Sequence, residues 1–183
     1  MAKRLKIKEN KKPNKEIKEN KKPLVDEEGI IVDFSQKTAF YSCKIGRYTN
    51  FLKEHDDFIE FRKELFGEAL QYFKGKTFSE LGYKGSHTHV IDDKEKLNLI
   101  EKILKELVLT CNPDLKKELI DKIVDNYMQE IWQLGYKQGL RLIGVRTKNI
   151  FTVLFIDYHH LIYPSIKHNT NDVLKYDYCA MRN

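Results

Sequence analysis

The chain has 183 residues, of which 33% are charged, and its formal net charge is +6. No apolar run approaches the roughly 20 residues that a membrane-spanning helix needs, and three widely spaced cysteines fit a reducing cytoplasm better than a disulfide framework. The P-loop, G-x-G-x-x-G and G-x-S-x-G sequences are all absent, which argues against nucleotide hydrolases, dinucleotide-dependent enzymes and serine hydrolases.

The positive charge is concentrated in residues 1–23. This segment holds ten Lys and Arg against three Glu, whereas the rest of the chain holds 23 basic and 24 acidic residues. It contains the sequence IKENKKP twice, at residues 7–13 and 17–23. Because it has almost no apolar surface to bury, we predict a disordered tail, followed by a single domain over residues 24–183.

Two interpretations of the basic tail remain open. One is an electrostatic arm that holds phosphate groups in a salt-sensitive way, and the other is a solubilising extension. The lysine pairs that would make the phosphate contacts are Lys11, Lys12, Lys21 and Lys22.

The first part of the domain predicts short strands followed by helices. Residues 29–33 and 38–45 have the composition of strands. Over residues 51–73, apolar side chains recur near helical spacing, which predicts an amphipathic helix. Thr77 is a candidate N-cap, with Glu80 in the register of a capping box, so one further helical turn is expected there.

Two longer helices are predicted next. Residues 87–93 are extended and lead into a helix over residues 94–109, with Asp92 or Asp93 as its N-cap. Residues 111–114 end that helix and cap a second one over residues 115–135. Gly135 would stop the second helix, and Trp132 would dock it on the sheet.

A β-hairpin closes the predicted fold. Residues 140–145 and 150–156 are rich in β-branched and aromatic residues, and residues 146–149 form a polar connection of hairpin length. The order of elements gives an α+β fold, an antiparallel sheet packed against several amphipathic helices. Residues 168–183 either add a final short strand or lie over the sheet.

The end of the hairpin carries residue types suited to acid–base chemistry on RNA. A metal-free ribonuclease needs a base for the ribose 2′-hydroxyl, an acid for the leaving 5′-oxygen, and cations for the phosphate. Arg141 and Arg146 lie on the hairpin, and His159, His160 and Tyr163 follow its second strand. Histidine titrates near neutral pH, and tyrosine offers a stacking surface for an unpaired base.

This segment resembles the C-terminal hairpin of the RelE/ParE/YafQ-type toxin superfamily. The matching parts are the strand segment Arg141-Leu-Ile-Gly144, the apolar residues 151–156, and His159-His160-Leu-Ile-Tyr163. The resemblance implies a helix pair against an antiparallel sheet. In ribonuclease members it implies mRNA cleavage, with Arg141, His160 and Tyr163 as the catalytic positions. Nucleic-acid contacts are expected from Arg146, Lys148 and His159.

A metal site is not predicted. His87 and His89 are one residue apart on an extended segment, so their side chains share a face and are weak candidates for ligands, together with a strand-end histidine pair. The H-x-H spacing is common by chance, and no zinc-ligand spacing occurs. We therefore expect no cofactor.

The sequence is compatible with two functions. The first is a nucleic-acid-engaging protein of a prokaryotic mobile element, such as a RelE-like, metal-independent endoribonuclease toxin, with RNA or a ribonucleoprotein and an antitoxin as partners. The alternative is a non-enzymatic phage or plasmid protein that binds and inhibits a host nucleoprotein or defence complex. The near-neutral body favours the alternative. Either protein would work in the cytoplasm without a membrane partner.

Overall fold

A five-stranded sheet organises the part of the chain that the computed structural model describes, which is residues 28–82, 87–137, 140–164 and 172–182. The basic tail, with Lys11, Lys12, Lys21 and Lys22, lies outside the described residues. The sheet consists of β1 (Ile31–Asp33), β4 (His89–Val90), β5 (Ile131–Tyr136), β6 (Leu140–Thr147) and β7 (Ile150–Ile156), in the order β1-β7-β6-β5-β4. A separate two-stranded sheet pairs β2 (Lys44–Ile45) with β3 (Tyr48–Thr49).

Helices account for most of the remaining described residues. They are α1 (His55–Arg62), a π-helical segment (Lys63–Ala69), α2 (Leu70–Phe73), α3 (Phe78–Leu81), α4 (Lys94–Cys111) and α5 (Lys117–Tyr127), with 3₁₀ turns at Lys37–Phe40 and Val173–Lys175. The predicted α+β class is confirmed. The sheet is antiparallel except at one edge, where β1 runs parallel to β7. Among the described residues, no helix is long and apolar enough to cross a membrane.

The predicted hairpin is confirmed, with a tighter turn than expected. Pairing of β6 with β7 continues to Thr147 and Ile150, so the connection is Lys148-Asn149 rather than residues 146–149. Lys148 has a φ of +57°, as a two-residue hairpin turn requires. The register shifts between Ile143 and Gly144.

Both faces of the sheet are covered by helices. The face that contacts α4 and α5 presents Ile131, Ile143 and Phe155. The opposite face packs Leu142 and Phe151 against the π-helical segment, α2 and α3. Four residues of α4, Ile100, Ile103, Leu104 and Leu107, are fully buried. Because both faces are covered, the functional surfaces of the sheet lie at its ends and edges rather than on an open face.

The helix predicted over residues 115–135 is wrong in its second half. Helix α5 ends at Tyr127, and Ile131–Tyr136 forms β5. Ile131 and Leu134 suit one face of a helix, but a strand buried on both faces also reads as a near-continuous apolar run. Gly135 is therefore inside a strand rather than at a helix stop, and Trp132 packs against Phe78 from the sheet, with ring centroids 5.5 Å apart.

Three other boundaries differ from the prediction. Residues 38–45 form a 3₁₀ turn and the short β2 instead of one strand, and the helix predicted from residue 51 begins at His55. Leu52 instead makes an isolated bridge to Tyr178, which fixes the C-terminal segment at one point. Helix α5 starts after Lys116 without a side-chain cap, so residues 111–114 do not cap it.

Two predicted helix caps are confirmed. Thr77 and Glu80 form a complete capping box at α3. Asp93 caps α4 by accepting hydrogen bonds from the backbone N–H groups of Glu95 and Lys96. The α4 cap holds the start of that helix next to β4 and His89.

Candidate functional site

The end of the sheet where β6 begins and β7 ends carries several of the hairpin residues that the sequence singled out. Arg141 is the second residue of β6, and Asp157 directly follows β7. The backbone N–H of Asp157 donates to the carbonyl of Arg141 at 3.0 Å. The backbones of Arg141 and Asp157 are therefore adjacent at this end of the sheet.

Asp157 holds the turn that follows β7. Its side chain is buried, and its two carboxylate oxygens accept hydrogen bonds from the backbone N–H groups of Leu161 (3.0 Å) and Ile162 (2.9 Å). Burial raises the pKa of Asp157 above its ordinary value, and these hydrogen bonds partly oppose the shift. Asp157 thereby fixes residues 158–163, including His160, which has a φ of +57°.

Arg141 is almost fully buried, with 5% of its surface exposed. Its Nη1 atom donates to the carbonyls of Leu140 (2.7 Å) and Lys137 (3.3 Å). Within the described ranges, Nε and Nη2 have no hydrogen-bond acceptor, and no carboxylate lies within ion-pair distance. Burial lowers the pKa of Arg141, while the negative charges of Asp157 and Glu64 oppose that shift.

His87, His89 and Tyr163 form a continuous row beside Arg141, which we call the histidine row. His87 lies against Gly135, and Gly135 pairs with Arg141 on β6. The approach is so close that a Cβ added to Gly135 would be 2.4 Å from the Cβ of His87. His89 pairs with Gln133 on β5, and its ring meets that of Tyr163 edge to face at 5.5 Å.

The electrostatics of the histidine row follow from its neighbours. Burial lowers the pKa of His87, and the positive charges of Arg141 and His89 lower it further, so neutral His87 predominates at pH 7. Burial raises the pKa of Tyr163, and nearby Asp93 and Asp92 add to the shift. The Lys96 ammonium lies 6.0 Å from the centre of the Tyr163 ring.

The predicted catalytic residues are only partly brought together by these contacts. His87 lies against Gly135, the strand partner of Arg141, and the charges of Arg141 and His89 lower its pKa, while the His89 ring packs on Tyr163. His159 turns to the other side of the turn, where its Nε2 is 2.7 Å from the carbonyl of Phe51 and its ring packs on Tyr176. Sequence reasoning had treated His87 and His89 only as possible metal ligands.

Arg146 and Lys148 lie at the other end of β6. Arg146 is five positions after Arg141 along the strand, a distance of about 17 Å. The Arg146 guanidinium stacks over the rings of Phe78 (4.3 Å) and Trp132 (5.3 Å), and its Nε donates to the carbonyl of Lys148 at 2.8 Å. These two predicted nucleic-acid contacts therefore belong to a surface separate from the histidine row.

A cleft of about 680 Å³ opens where α1 and the π-helical segment face the same sheet end. We call it the sheet-end cleft. Its lining combines four carboxylates, three cations and an aromatic and aliphatic wall: Asp57, Glu60, Glu64, Glu68, Lys63, Lys137, Arg141, Phe61, Tyr158, Leu52 and Ile156. Sequence reasoning found Arg141 but missed the acidic wall, because α1 and the π-helical segment are remote from the hairpin in sequence.

No metal centre is apparent in the described part of the chain. There, no group of three or more His, Cys, Asp or Glu residues is arranged to hold an ion. His87 and His89 are two positions apart along the chain, but the Nε2 atom of His159 lies 2.7 Å from the Phe51 carbonyl and its ring packs on Tyr176, so it does not join them.

Comparison with known proteins places the chain in a family. The family model described as "Uncharacterised protein UU032" matches residues 35–183, which include the histidine row and the sheet-end cleft. The chain belongs to this family. A UU032 relative from Ureaplasma parvum serovar 3 (strain ATCC 700970) is 28% identical over 181 residues, covering 97% of this chain and 94% of the relative. No solved structure matches the chain.

Proposed function

We propose that this UU032 family member acts on single-stranded RNA as a metal-independent endoribonuclease, with the histidine row as its catalytic surface. The observation that supports the proposal is the position of His87 against Gly135, the strand partner of Arg141, together with the packing of the His89 ring on Tyr163. The positive charges of Arg141 and His89 are near enough to lower the pKa of His87. Together these residues supply two imidazoles, a phenol and a cation at the strand end where the sequence predicted acid–base chemistry. The resemblance to RelE/ParE/YafQ-type toxins supports the same reaction class.

The residues of the row suit the steps of RNA transesterification. Neutral His87 accepts the proton of the ribose 2′-hydroxyl, and the 2′-oxygen attacks the adjacent phosphorus. The bond from phosphorus to the 5′-oxygen breaks, and His89 in its protonated form donates a proton to that oxygen. Arg141 and Lys96 balance the charge that develops on the phosphate. Tyr163 offers a stacking surface for an unpaired base.

The biological setting in this proposal is the bacterial cytoplasm. The three cysteines, Cys43, Cys111 and Cys179, are free thiols, as a reducing compartment favours. In the toxin interpretation, the gene belongs to a mobile element and an antitoxin covers the histidine row until it is removed. Induced expression of the chain alone would then stop growth.

The proposal is tested by incubating chelator-treated protein with single-stranded RNA, in the presence and absence of ribosomes. We expect cleavage by the wild type and a loss of about 10²- to 10⁴-fold in rate for His87→Ala and His89→Ala. His55→Ala is the matched control, because His55 is an exposed residue of α1 that contacts Tyr178. His160→Ala separates the residue implied by the toxin resemblance from those implied by the contacts. Cleavage that survives both His87→Ala and His89→Ala would contradict the assignment.

A non-enzymatic binding protein is the second candidate. Outside the basic tail, the chain has 23 basic and 24 acidic residues. A domain that binds RNA along its surface normally has an excess of positive charge there. This candidate would inhibit a host nucleoprotein or defence complex by occupying a protein surface. RNA left intact by wild type and variants, together with a stable complex with such an assembly, would favour it.

A further inference from the structure

The sheet-end cleft holds three polar groups that make no hydrogen bond or ion pair among the described residues. They are the Nε and Nη2 atoms of Arg141, the carboxylate of Glu64 and the hydroxyl of Tyr158. The buried side-chain polar atoms that lack a partner in the described chain belong to Thr38 and Tyr48. Because the three cleft groups are not among those buried atoms, they are exposed to solvent inside the cleft.

The other charged groups of the cleft are already engaged. Lys137 pairs with Glu68, which also accepts a hydrogen bond from the Tyr136 hydroxyl, and Lys63 pairs with Glu60. Asp57 accepts a hydrogen bond from the backbone N–H of Lys53 at the start of α1. What remains for a ligand is the positive charge of Arg141 and the negative charges of Asp57 and Glu64, and of these two carboxylates Glu64 is the one that makes no hydrogen bond among the described residues.

Arg141 and Glu64 are close enough to interact electrostatically but do not form an ion pair. The negative charge of Glu64 raises the pKa of Arg141, yet the two residues make no contact within 4 Å. Because Arg141 is only 5% exposed, its free N–H groups meet solvent through the cleft alone, and a ligand bound there would replace that water. A planar guanidinium with two free N–H directions matches a carboxylate.

The wall that carries Glu64 is a π-helical segment, Lys63–Ala69. Such segments are rare and frequently occur at functional sites, because the wider turn redirects side chains. Here it buries Leu65 and Ala69 in the core while Glu64 and Glu68 line the cleft. Beside it, the rings of Phe61 and Tyr158 meet edge to face at 4.6 Å and form an apolar surface.

We propose that the sheet-end cleft binds a small zwitterion with one carboxylate and one ammonium group, that is, a free α-amino acid. The carboxylate lies on Arg141, the ammonium group faces Glu64, and the side chain packs on Phe61 and Tyr158. A polyanion such as RNA fits this cleft poorly, because four carboxylates line it against three cations. The cleft shares Arg141 with the proposed cleavage surface but has its other lining residues to itself, and binding of an amino acid there does not depend on RNA cleavage.

The test measures binding of the twenty L-amino acids, one at a time, to the full-length protein by isothermal titration calorimetry. We expect at least one to bind, and the N-acetylated and the carboxamide forms of that amino acid to bind at least about tenfold more weakly, because each loses one charged contact. Glu64→Gln is expected to weaken binding to a similar extent. Glu60→Gln is the matched control, since Glu60 lines the same cleft but is paired with Lys63.

Three results would overturn the proposal. The first is no binding of any amino acid at millimolar concentration to a protein whose circular dichroism shows a folded chain. The second is equal binding of the N-acetylated form, which would indicate a site for a peptide C-terminus instead. The third is unchanged affinity in Glu64→Gln. Because none of these measurements involves RNA, they are independent of the outcome of the cleavage assay.

Discussion

Asp157 shows how a single residue organises the candidate site without taking part in its chemistry. It is 1% exposed and accepts two backbone hydrogen bonds from the turn that leads to Tyr163. Asp157 directly follows β7, and its role depends on burial, which residue type alone does not indicate. Its neighbours Tyr158 and Tyr163 then serve two different surfaces, the sheet-end cleft and the histidine row.

Replacing this carboxylate is expected to destabilise the whole domain. Asp157→Ala leaves the N–H groups of Leu161 and Ile162 without their acceptor in a buried turn, and we expect a loss of about 2–4 kcal/mol in the free energy of unfolding. Urea denaturation measures the change. Asp177→Ala, at an exposed position of the C-terminal segment, should change stability by less than about 0.5 kcal/mol. Equal stabilities of the two variants would contradict the assigned role of Asp157.

The pKa of His87 leads to a prediction for the pH dependence of cleavage. A general base works in its neutral form, and burial and the charges of Arg141 and His89 hold the pKa of His87 below its ordinary value of 6.5. Cleavage should therefore persist as the pH falls through 6.5, and the acidic limb of the rate profile should lie below that value. An acidic limb at or above pH 6.5 would indicate that another group is the base.

Among the elements, β5 marks the limit of what could be predicted from the sequence. The hairpin of β6 and β7 could be predicted, because strand composition, turn residues and length agree. In β5, the apolar residues Ile131 and Leu134 have helical spacing, and only contacts with β4 and β6 show that the segment is extended. These contacts also place His87 and His89 on the same side of the sheet end as Arg141, an arrangement that the sequence does not show because β4 and β6 are remote along the chain.

The contact between Gly135 and His87 gives a prediction at the level of the strand pair. In Gly135→Ala, the new Cβ would meet the Cβ of His87 at 2.4 Å and its carbonyl oxygen at 2.6 Å, so β4 and His87 must shift. We expect a loss of about 1–3 kcal/mol in stability, from overpacking, and a marked fall in RNA cleavage. Thermal unfolding and the cleavage assay measure the two effects.

Gly67→Ala provides the comparison for this substitution. A Cβ on Gly67, in the π-helical segment, would have no neighbour within 4 Å. Removing a helical glycine at an open position should leave stability unchanged or raise it by up to about 1 kcal/mol, with no effect on cleavage. If Gly135→Ala behaved in the same way, the packing of β4 on β5 would not position His87.

At the scale of the whole molecule, the excess positive charge and the two described surfaces lie in different parts of the chain. The basic tail carries ten of the 33 Lys and Arg residues, while the described body supplies the histidine row and the sheet-end cleft. The uneven charge is visible in the composition, because the tail is rich in lysine, holds few apolar residues and contains the IKENKKP sequence twice. The acidic wall of the cleft could not be predicted, since Glu64 and Arg141 are 77 positions apart and only the fold brings them together.

If the basic tail holds RNA, its removal should change the salt dependence of binding. Deleting residues 1–23 removes ten cations, and four phosphate contacts would reduce the slope of log K against log salt by about 3. Fluorescence anisotropy of labelled single-stranded RNA at several salt concentrations measures the slope. Full-length protein with Gln at Lys11, Lys12, Lys21 and Lys22 should reproduce the change. An unchanged slope would leave the tail as a solubilising extension.

The central claim is that the histidine row cleaves RNA through the ribose 2′-hydroxyl, and the chemistry of the product ends tests it most directly. Chelator-treated protein is incubated with a defined single-stranded RNA, and the fragments are analysed by mass spectrometry beside an RNA with 2′-deoxyribose at the cleaved position. We predict fragments ending in a 2′,3′-cyclic phosphate and an uncut 2′-deoxy substrate. Intact RNA in both samples, or cleavage of the 2′-deoxy substrate, would contradict this account.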